Sequence, residues 1–441
     1  MKVLLVKREI YSQIGGAERV FVDLANEMLK RGHDVEVMCA QKHIFEDEKP
    51  FYPLNQAVVI HNVYPLLKRG VPGTGSNGRG NTTGNITDTA ASSGPVSFKK
   101  RIKMKIKAFL SGDLRILGRA IYYYTTKFTF TDKIFWKLIF GDQISRLRTD
   151  ILHLQPDVVV SFLPNSFVPV SKALEGTGIK LVIANRNDPA EDYTRRNYFP
   201  SRYDVSMRIE AVKKSDLNLV QLEVFKDFFP EIVKKKTRVI PNSVYLYKPE
   251  QKRVEYPDGS GTGVIVSVGR LTEVKNHELL IRAFSLISKK YPGWIIRIFG
   301  EGRHERFLCK LIDKLGLSDR VYLMGSTKDI IGEYRNADIF AFPSRFEGFS
   351  NALAEAMSLG LPSVVIKGCI SNRELVEKGE AGLISENDYA DYAEKLEFLI
   401  NNPGVRKGYG FNAVNFVKQF EKERIYNMWD DAITGVIKKN Q

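Results

Sequence analysis

Two glutamates eight residues apart stand out in residues 343–357, PSRFEGFSNALAEAM. A strand is predicted to end at the start of this segment, a loop carries Glu347 and Gly348, and a helix is predicted to begin near Ser350. Backbone N–H groups at the start of a helix can hold phosphate oxygens, and glycine lets a backbone approach a ligand closely. Glu347 and Glu355 could both accept hydrogen bonds from hydroxyls. Either glutamate alone is typical of a surface charge, whereas the pair predicts a binding loop.

Two cations form a second candidate group in GRLTEVKN, residues 269–276. Because the segment follows the first predicted strand of the second half, Arg270 and Lys275 would lie at the carboxyl edge of that strand. Arginine can bind an oxyanion through two hydrogen bonds, and lysine binds it as a point charge. Together they would stabilise a leaving diphosphate. The alternative is two surface cations in a loop.

A glycine pair, Gly15-Gly16, stands between the first predicted strand and the first predicted helix. Without side chains at these positions, a phosphate or a sugar could lie against backbone amides. The pair is not part of a GxGxxG pattern, which argues against a dinucleotide-binding loop. Taken alone it is a weak signal.

The elements that must position these groups begin with a β-loop-α-β unit. Residues 3–6 predict a strand, residues 17–30 a helix, and RGHDVEVMCA a turn and a second strand. This order is typical of a doubly wound parallel sheet. Further strands are predicted at 157–162, 180–184, 217–220 and 237–240.

A polar segment, about 246–262, predicts a linker to a second alternating series. Its strands are predicted at 264–269, 294–300, 320–325, 338–343 and 362–367. Helices between them are predicted at about 277–290, 303–316, 328–336 and 350–359. Two more helices are predicted within about 404–439. The prediction is an α/β protein with two Rossmann-like domains, 1–245 and 263–418, which face a cleft where ligands bind. A C-terminal helix within 419–441 is expected to pack back on the first domain.

Length and composition agree with a globular protein of two or three domains. The chain has 441 residues, 43% of them hydrophobic and 27% charged, which excludes a collagen and a wholly disordered chain. Cys39, Cys309 and Cys369 form no CxxC pair, so we expect a reducing compartment and no disulfide framework or zinc ribbon. No window reaches the ~18 apolar residues of a spanning helix, and the N-terminus predicts a buried strand rather than a signal peptide.

The net charge of +15 is concentrated in residues 99–148, which hold 13 Lys/Arg against 3 Asp/Glu. This stretch opens with KKRIKMKIK and continues with bulky apolar and aromatic residues, a mixture that favours a helix lying on an anionic membrane over 99–140. The alternative is a solvated basic face over an ordinary core helix. No nucleic-acid motif accompanies the charge, so nucleic acid is not an expected partner. Residues 70–97, rich in Gly, Ser, Thr and Asn, predict a flexible insert.

In order and spacing, the three motifs resemble the family-4 retaining glycosyltransferases of the GT-B fold. The Glu-x7-Glu signature of that family matches Glu347 and Glu355, and its Arg…Lys pair matches Arg270 and Lys275. The resemblance implies that Arg270 and Lys275 bind the donor diphosphate. It also implies that Glu347 binds hydroxyls of the donor sugar and that Glu355 binds the ribose. The remaining donor-binding residues that it implies are Gly15, Gly16, Gly269, Gly300, Ser326, Thr327, Gly348, Phe349, Ser350 and Asn351.

Two shorter stretches resemble a subgroup of this family that builds bacterial surface polysaccharides: ANRNDP, residues 184–189, and CISNREL, residues 369–375. Many relatives carry a histidine after a middle strand of the first domain, where this chain has SFLPN, residues 161–165. The lack of histidine matches the subgroup and leaves the polar group on the acceptor side open. The candidates for it are Asn165, Asn185, Arg186, Asn187 and Asp188.

The resemblance implies transfer of a sugar, an N-acetylhexosamine or a hexose, from a UDP-sugar to a hydroxyl with retention of configuration. Retention normally suggests a carboxylate nucleophile, but no strong candidate appears on the expected face. The resemblance implies a same-face displacement instead, in which the leaving diphosphate takes the acceptor proton. No cofactor or metal is expected. The expected acceptor is a lipid-linked oligosaccharide in capsule, O-antigen or exopolysaccharide synthesis. The expected location is cytoplasmic, at the inner face of the cell membrane.

Two other functions fit the same architecture. One is a GT-B nucleotide-sugar 2-epimerase, against which the glutamate pair and the basic insert argue. The other is a non-enzymatic, membrane-associated binding protein, against which the four charged residues of the two motifs argue. A donor-hydrolysis assay separates the three functions.

Overall fold

Two parallel β-sheets form the frame of the molecule. The structure, a computed structural model, describes residues 1–11, 15–42, 44–66, 129–194, 202–247 and 263–438. The predicted insert at 70–97 lies outside these ranges, as do residues 99–128 of the basic segment and all but the first two residues of the predicted linker. The described ranges contain no helix that is both long and apolar enough to cross a bilayer.

Within the described ranges, the first sheet has seven strands in the order β3-β2-β1-β4-β5-β6-β7, each parallel to its neighbours. The central strands are apolar and buried because helices cover both faces of a parallel sheet. The strands are β1 (Lys2–Val6), β2 (Asp34–Cys39), β3 (Val59–Asn62), β4 (Val158–Phe162), β5 (Lys180–Ala184), β6 (Leu217–Val220) and β7 (Thr237–Val239). The helices are α1 (Gly16–Lys30), α2 (Thr129–Leu154), α3 (Pro164–Ala173), α4 (Pro189–Thr194), α5 (Arg202–Lys214) and α6 (Glu231–Lys234).

The second sheet has six parallel strands in the order β10-β9-β8-β11-β12-β13. They are β8 (Gly263–Val268), β9 (Trp294–Phe299), β10 (Val321–Gly325), β11 (Ile339–Phe342), β12 (Ser363–Ile366) and β13 (Gly382–Ser385). The helices are α7 (His277–Ile287), α8 (Glu305–Lys314), α9 (Ile330–Arg335), α10 (Asn351–Ser358), α11 (Ile370–Gly379), α12 (Tyr389–Asn401), α13 (Pro403–Val417) and α14 (Lys422–Lys438). Short 3-10 turns lie at Glu223–Phe228, Glu273–Lys275 and Lys418–Phe420.

Each sheet has one point where the strand order reverses. In the first sheet it lies between β1 and β4, and in the second between β8 and β11. Loops leaving two such strands diverge to opposite faces and open a crevice at the carboxyl ends, where ligands bind in doubly wound folds. The predicted motifs follow three of these four strands: the glycine pair follows β1, the cations follow β8, and Glu347 follows β11.

Two edge strands were missed by the sequence patterns. β3 reads VIHN and β13 reads GLIS, and in both strands most residues are half-exposed. An edge strand pairs on one side only and is partly open to water, so it lacks the continuous apolar run that marks a buried parallel strand.

The last helix returns to the first domain. Trp429 of α14 is fully buried, and its ring stacks on Phe162 at the end of β4, with 5.8 Å between centroids. Polar contacts flank this packing: Glu423 pairs with Arg31 at 2.8 Å and Asp430 with His33 at 2.9 Å. The C-terminal segment therefore belongs to the core of the first domain.

We expect Trp429→Ala to lower the free energy of unfolding by about 3–5 kcal/mol, because it leaves a cavity beneath α14. A urea titration followed by circular dichroism measures this change. Phe411→Ala on α13 is the control, since its side chain is 70% exposed and its loss should cost less than about 0.5 kcal/mol. Equal unfolding free energies for the two variants would contradict the packing described here.

Candidate active site

A lysine and a glutamate meet at the reversal point of the second sheet. Lys275 ends the 3-10 turn after β8, and Glu347 lies in the loop after β11. The Arg345 N–H donates to the Val274 carbonyl at 2.8 Å, which ties the two loops together. Lys275 Nζ then lies 2.5 Å from Glu347 Oε1, with the two side chains 16% and 17% exposed. The ammonium also lies 5.0 Å from the centroid of the Phe342 ring.

Arg270 lies on the same loop as Lys275. Its side chain is exposed, and among the described residues it forms no ion pair. A guanidinium without a carboxylate partner, next to a lysine at the carboxyl end of a strand, is suited to bind an anion.

The backbone around this loop is tightly packed. Gly300 has φ +135°, and a Cβ there would lie 2.2 Å from the Gly269 carbonyl oxygen, so only glycine fits. His277 contacts the same Gly269 oxygen at 3.3 Å and Ser267 Oγ at 3.3 Å. Burial lowers the pKa of His277 to about 4, so it is neutral near pH 7 and adds no charge to the site. These contacts hold Gly269 in place before Arg270.

Ser326 and Thr327 lie beside Gly300, at the carboxyl end of β10. Gly300 bridges to Gly325, and Ser326 Oγ donates to Glu301 Oε1 at 2.8 Å. The Thr327 hydroxyl accepts the Asp329 N–H at 3.1 Å. Gly300, Ser326 and Thr327, which the resemblance assigns to donor binding, are thus brought together on one exposed edge of the second sheet.

Residues 347–351, here called the 347–351 loop, are held from both domains. Ser350 Oγ donates to Asn372 Oδ1 at 2.6 Å within the second domain. Gly348 faces the first domain, where a Cβ would lie 2.4 Å from the Arg186 carbonyl oxygen. A larger residue than glycine at 348 would therefore force the domains apart.

Glu355 forms an ion pair across the domain boundary. Its Oε1 accepts from Arg19 Nη2 of α1 at 2.7 Å, and its side chain is 13% exposed. Burial lowers the pKa of Arg19, but the Glu355 carboxylate outweighs it, so the net shift is upward. Glu355, which the resemblance assigns to ribose binding, is thus paired with Arg19 in this structure. Glu347 is paired with Lys275.

The glycine pair lies against the same region. A Cβ at Gly15 would lie 2.6 Å from Glu18 Oε2, and one at Gly16 would lie 2.7 Å from Asn351 Nδ2. The fold therefore brings Gly16 and the 347–351 loop, 335 residues apart in sequence (351 minus 16), into contact across the cleft.

Asn185 and Arg186 have structural partners in the first domain. The Asn185 amide donates to Asn218 Oδ1 at 2.7 Å and accepts from the Tyr193 hydroxyl at 2.8 Å. Arg186 is buried under α14, 5.3 Å from the Trp429 ring, and burial lowers its pKa to about 9. Both side chains join elements of the first domain to each other.

The other acceptor-side candidates, Asn165, Asn187 and Asp188, lie near the starts of α3 and α4. Asp188 Oδ1 accepts the Ala190 N–H at 2.8 Å at the start of α4, and Asn187 Nδ2 donates to Asp192 Oδ1 at 3.3 Å. Asn165 lies two residues after Leu163, whose φ of +66° is strained for a leucine. Asn165 Oδ1 is buried and has no hydrogen-bond partner within the described part of the chain. Among the five acceptor-side candidates, Asn165 is therefore the one whose side-chain oxygen is best placed to accept a hydrogen bond from a ligand.

Arg373 and Glu374 line a groove of about 400 Å³ between α11 and the 3-10 turn after β6. Residues of both signs line it from both domains. The described ranges hold no cluster of three or more His, Cys, Asp or Glu that could bind a metal ion.

Three residues at the cleft, Lys7, Gln221 and Asn242, were not singled out from the sequence. Lys7 follows β1 and forms a buried ion pair with Glu18 at 2.6 Å. Gln221 follows β6, Asn242 lies three residues beyond β7, and both are buried at the domain boundary. The rule that found Arg270, position at the carboxyl end of a parallel strand, would have found Lys7 and Gln221 as well.

Sequence comparison matches residues 249–416 to the family of glycosyl transferases group 1. An uncharacterised glycosyltransferase of Methanocaldococcus jannaschii is 27% identical over 334 residues, 65% of this chain and 81% of that protein. A Campylobacter jejuni protein is 30% identical over 269 residues, 59% of this chain and 71% of its own length. That protein is named N-acetylgalactosamine-N,N'-diacetylbacillosaminyl-diphospho-undecaprenol 4-alpha-N-acetylgalactosaminyltransferase.

Structure comparison gives the same fold. The HepE protein of Anabaena, solved in complex with UDP, superposes with a TM-score of 0.66 at 15% identity over 99% of this chain and 100% of that one. The predicted GT-B architecture of two parallel-sheet Rossmann-like domains is thereby confirmed. The two sheets, the charged groups at their reversal points and these relatives together show that the chain belongs to the glycosyl transferases group 1 family.

Proposed function

We propose that this protein transfers a sugar, an N-acetylhexosamine or a hexose, from a UDP-sugar to a hydroxyl of a lipid-linked oligosaccharide, with retention of configuration. The product would serve a bacterial surface polysaccharide: capsule, O-antigen or exopolysaccharide. The observation that carries this proposal is the Lys275–Glu347 pair beside the exposed Arg270, at the reversal point of the second sheet.

Charge stabilisation is the chemical task of this site. Departure of the nucleoside diphosphate leaves negative charge, which Arg270 and Lys275 would stabilise. Glu347 would hold Lys275 in position and accept hydrogen bonds from sugar hydroxyls. The leaving diphosphate would take the acceptor proton on the same face, so the chain would supply positioning and charge rather than a nucleophile.

Relatives support the donor and the acceptor classes. HepE was solved with UDP, and the Campylobacter protein is named as acting on a diphospho-undecaprenol-linked sugar. On the acceptor side, Asn165 offers a buried oxygen that no other described residue contacts through a hydrogen bond. These observations favour a UDP-sugar donor and a lipid-linked acceptor.

Release of UDP or GDP from a panel of nucleotide sugars, with and without a lipid-linked acceptor analogue, tests the proposal. We expect acceptor-dependent release from one UDP-sugar, with an α-linked product by NMR and unchanged rate in EDTA. Conversion of the donor to its 2-epimer would support the epimerase, and nucleotide binding without release would support the binding protein. Loss of activity in EDTA, restored by a divalent ion, would refute metal independence.

The membrane part of the proposal rests on α2. Its buried side packs Trp136 and Phe140 against Val168. Outside this packing, α2 exposes Lys133, Ile134, Lys137 and Leu138, with Leu138 72% exposed. Lysines beside apolar side chains on one helix face suit an anionic bilayer surface, where each contributes about 1 kcal/mol. The protein would then lie on the inner face of the cell membrane.

We expect the double variant Lys137→Glu/Leu138→Glu to bind phosphatidylglycerol vesicles at least about tenfold more weakly, because it reverses a charge and removes an inserted side chain. Co-sedimentation with vesicles measures this binding. Phe411→Glu, an equally exposed residue on α13 of the second domain, is the control and should bind as wild type. Undiminished binding by the double variant would show that α2 does not contact lipid.

A further inference from the structure

A chain of side-chain amides from the first domain holds the 347–351 loop of the second. Gln221 Oε1 accepts the N–H of Phe349 at 2.9 Å. Gln221 Nε2 donates to Asn242 Oδ1 at 2.9 Å, and Asn242 Nδ2 donates to Asn351 Oδ1 at 2.7 Å. Gln221 is 1% exposed and Asn242 4%, so water does not replace these partners. We call Gln221, Asn242 and Asn351 the amide relay.

The direction of the amide relay is set at one end. A backbone N–H can only donate, so the Gln221 atom that faces Phe349 must be the carbonyl oxygen. Gln221 therefore presents its NH₂ group to Asn242, and Asn242 presents its own NH₂ group to Asn351. Asn351 must accept, which directs its NH₂ group away from the relay.

That NH₂ group lies where the two domains meet at the cleft. A Cβ on Gly16 would lie 2.7 Å from Asn351 Nδ2, so the amide faces the glycine pair. Among the described residues, Asn351 Nδ2 has no hydrogen-bond partner. This NH₂ group can therefore donate a hydrogen bond to a ligand oxygen, and it belongs to the same 347–351 loop as Glu347.

We propose that Gln221 and Asn242 are positioning residues that fix Asn351 as a hydrogen-bond donor to a phosphate or hydroxyl oxygen of the bound nucleotide sugar. This inference rests on the proposed function, because it takes a nucleotide sugar as the ligand. It adds two residues of the first domain to the donor site. Since the relay crosses the domain boundary, the donor site is complete only when the domains are in contact.

Asn242→Asp reverses the relay without changing its shape. An ionised aspartate accepts from Gln221 but cannot donate, so Asn351 must turn its NH₂ group toward it and present oxygen to the ligand. We expect both the KM and the Kd of the UDP-sugar to rise at least about tenfold, with a small change in kcat. Lowering the pH toward the aspartate pKa should restore donor affinity relative to wild type, because the protonated acid donates again.

Asn242→Ala removes the relay without reversing it, so its KM should rise less than that of Asn242→Asp. Gln221→Glu is a second reversing variant, which matters if Asn242→Asp folds poorly, and it should match Asn242→Asp. Asn415→Asp, at an exposed position of α13, is the matched control and should behave as wild type.

Three outcomes separate the proposals. Wild-type donor affinity in both reversing variants would overturn the amide relay while leaving the proposed function standing. An equal or larger loss in Asn242→Ala would also overturn it, because it would indicate a purely structural role. A wild-type protein that neither binds UDP nor releases it from any UDP-sugar would overturn the proposed function and the relay together.

Discussion

Replacing Lys275 by alanine is expected to lower kcat/KM for acceptor-dependent transfer by about 10²–10³-fold, the range seen when one preorganised donor to a developing negative charge is removed. Lys275 Nζ is held 2.5 Å from Glu347 at the carboxyl ends of β8 and β11. It is therefore in place before the diphosphate leaves, and its ammonium does not have to be brought in during the reaction. UDP release at varied donor concentration measures the loss.

A matched control lies in the same domain. Lys395 pairs with Asp391 at 3.0 Å on α12, far from both strand reversals in sequence, so Lys395→Ala should leave kcat/KM unchanged. Lys275→Arg should recover only part of the activity, because a guanidinium differs from a compact ammonium in size and geometry. A wild-type kcat/KM in Lys275→Ala would show that Lys275 does not stabilise the leaving diphosphate. Arg270 would then be the only cation proposed for that role.

Glu347→Ala is expected to abolish detectable transfer while the protein stays folded. The carboxylate is the partner of Lys275 and, in the proposed function, the acceptor for sugar hydroxyls, so one substitution removes both roles. Fold should persist because the Glu347 contact that anchors the loop is made by its backbone: Ser371 Oγ donates to the Glu347 carbonyl at 3.1 Å. A transfer assay tests the loss of activity, and thermal unfolding of the same preparation tests whether the variant is folded. We expect its Tm to shift by less than about 4 °C.

The double variant Lys275→Ala/Glu347→Ala separates the two roles. If the glutamate acts only by holding the lysine, the double variant should be no slower than Lys275→Ala, because residues that act as a unit are not additive. A further loss in the double variant indicates a direct contact of Glu347 with the sugar, as proposed. Full activity in Glu347→Ala would overturn the assignment of this site.

Local sequence patterns predict those strands and helices whose formation depends mainly on residues close together in the chain. A buried parallel strand needs a largely apolar run, so VVVSF and WIIRIF could be recognised directly, and they are β4 and β9. The start of α10 was predicted one residue from its observed position, since glycine and serine precede the apolar helical pattern there. The sequence predicts Arg270 and Lys275 after one strand and Glu347 after another, and the structure brings Lys275 and Glu347 into contact.

Partners across long stretches of sequence were decided only by the tertiary structure. Glu355 lies 336 positions from Arg19, and no local pattern encodes their ion pair. Asn185 looked like a free polar group after a strand, yet β6 and α4 surround it with partners. Gln221 and Asn242 were overlooked because an isolated amide carries no signal until its neighbours are known. Hydrogen-bond direction in the amide relay depends on three segments meeting, which is a property of the assembled domains and not of any one segment.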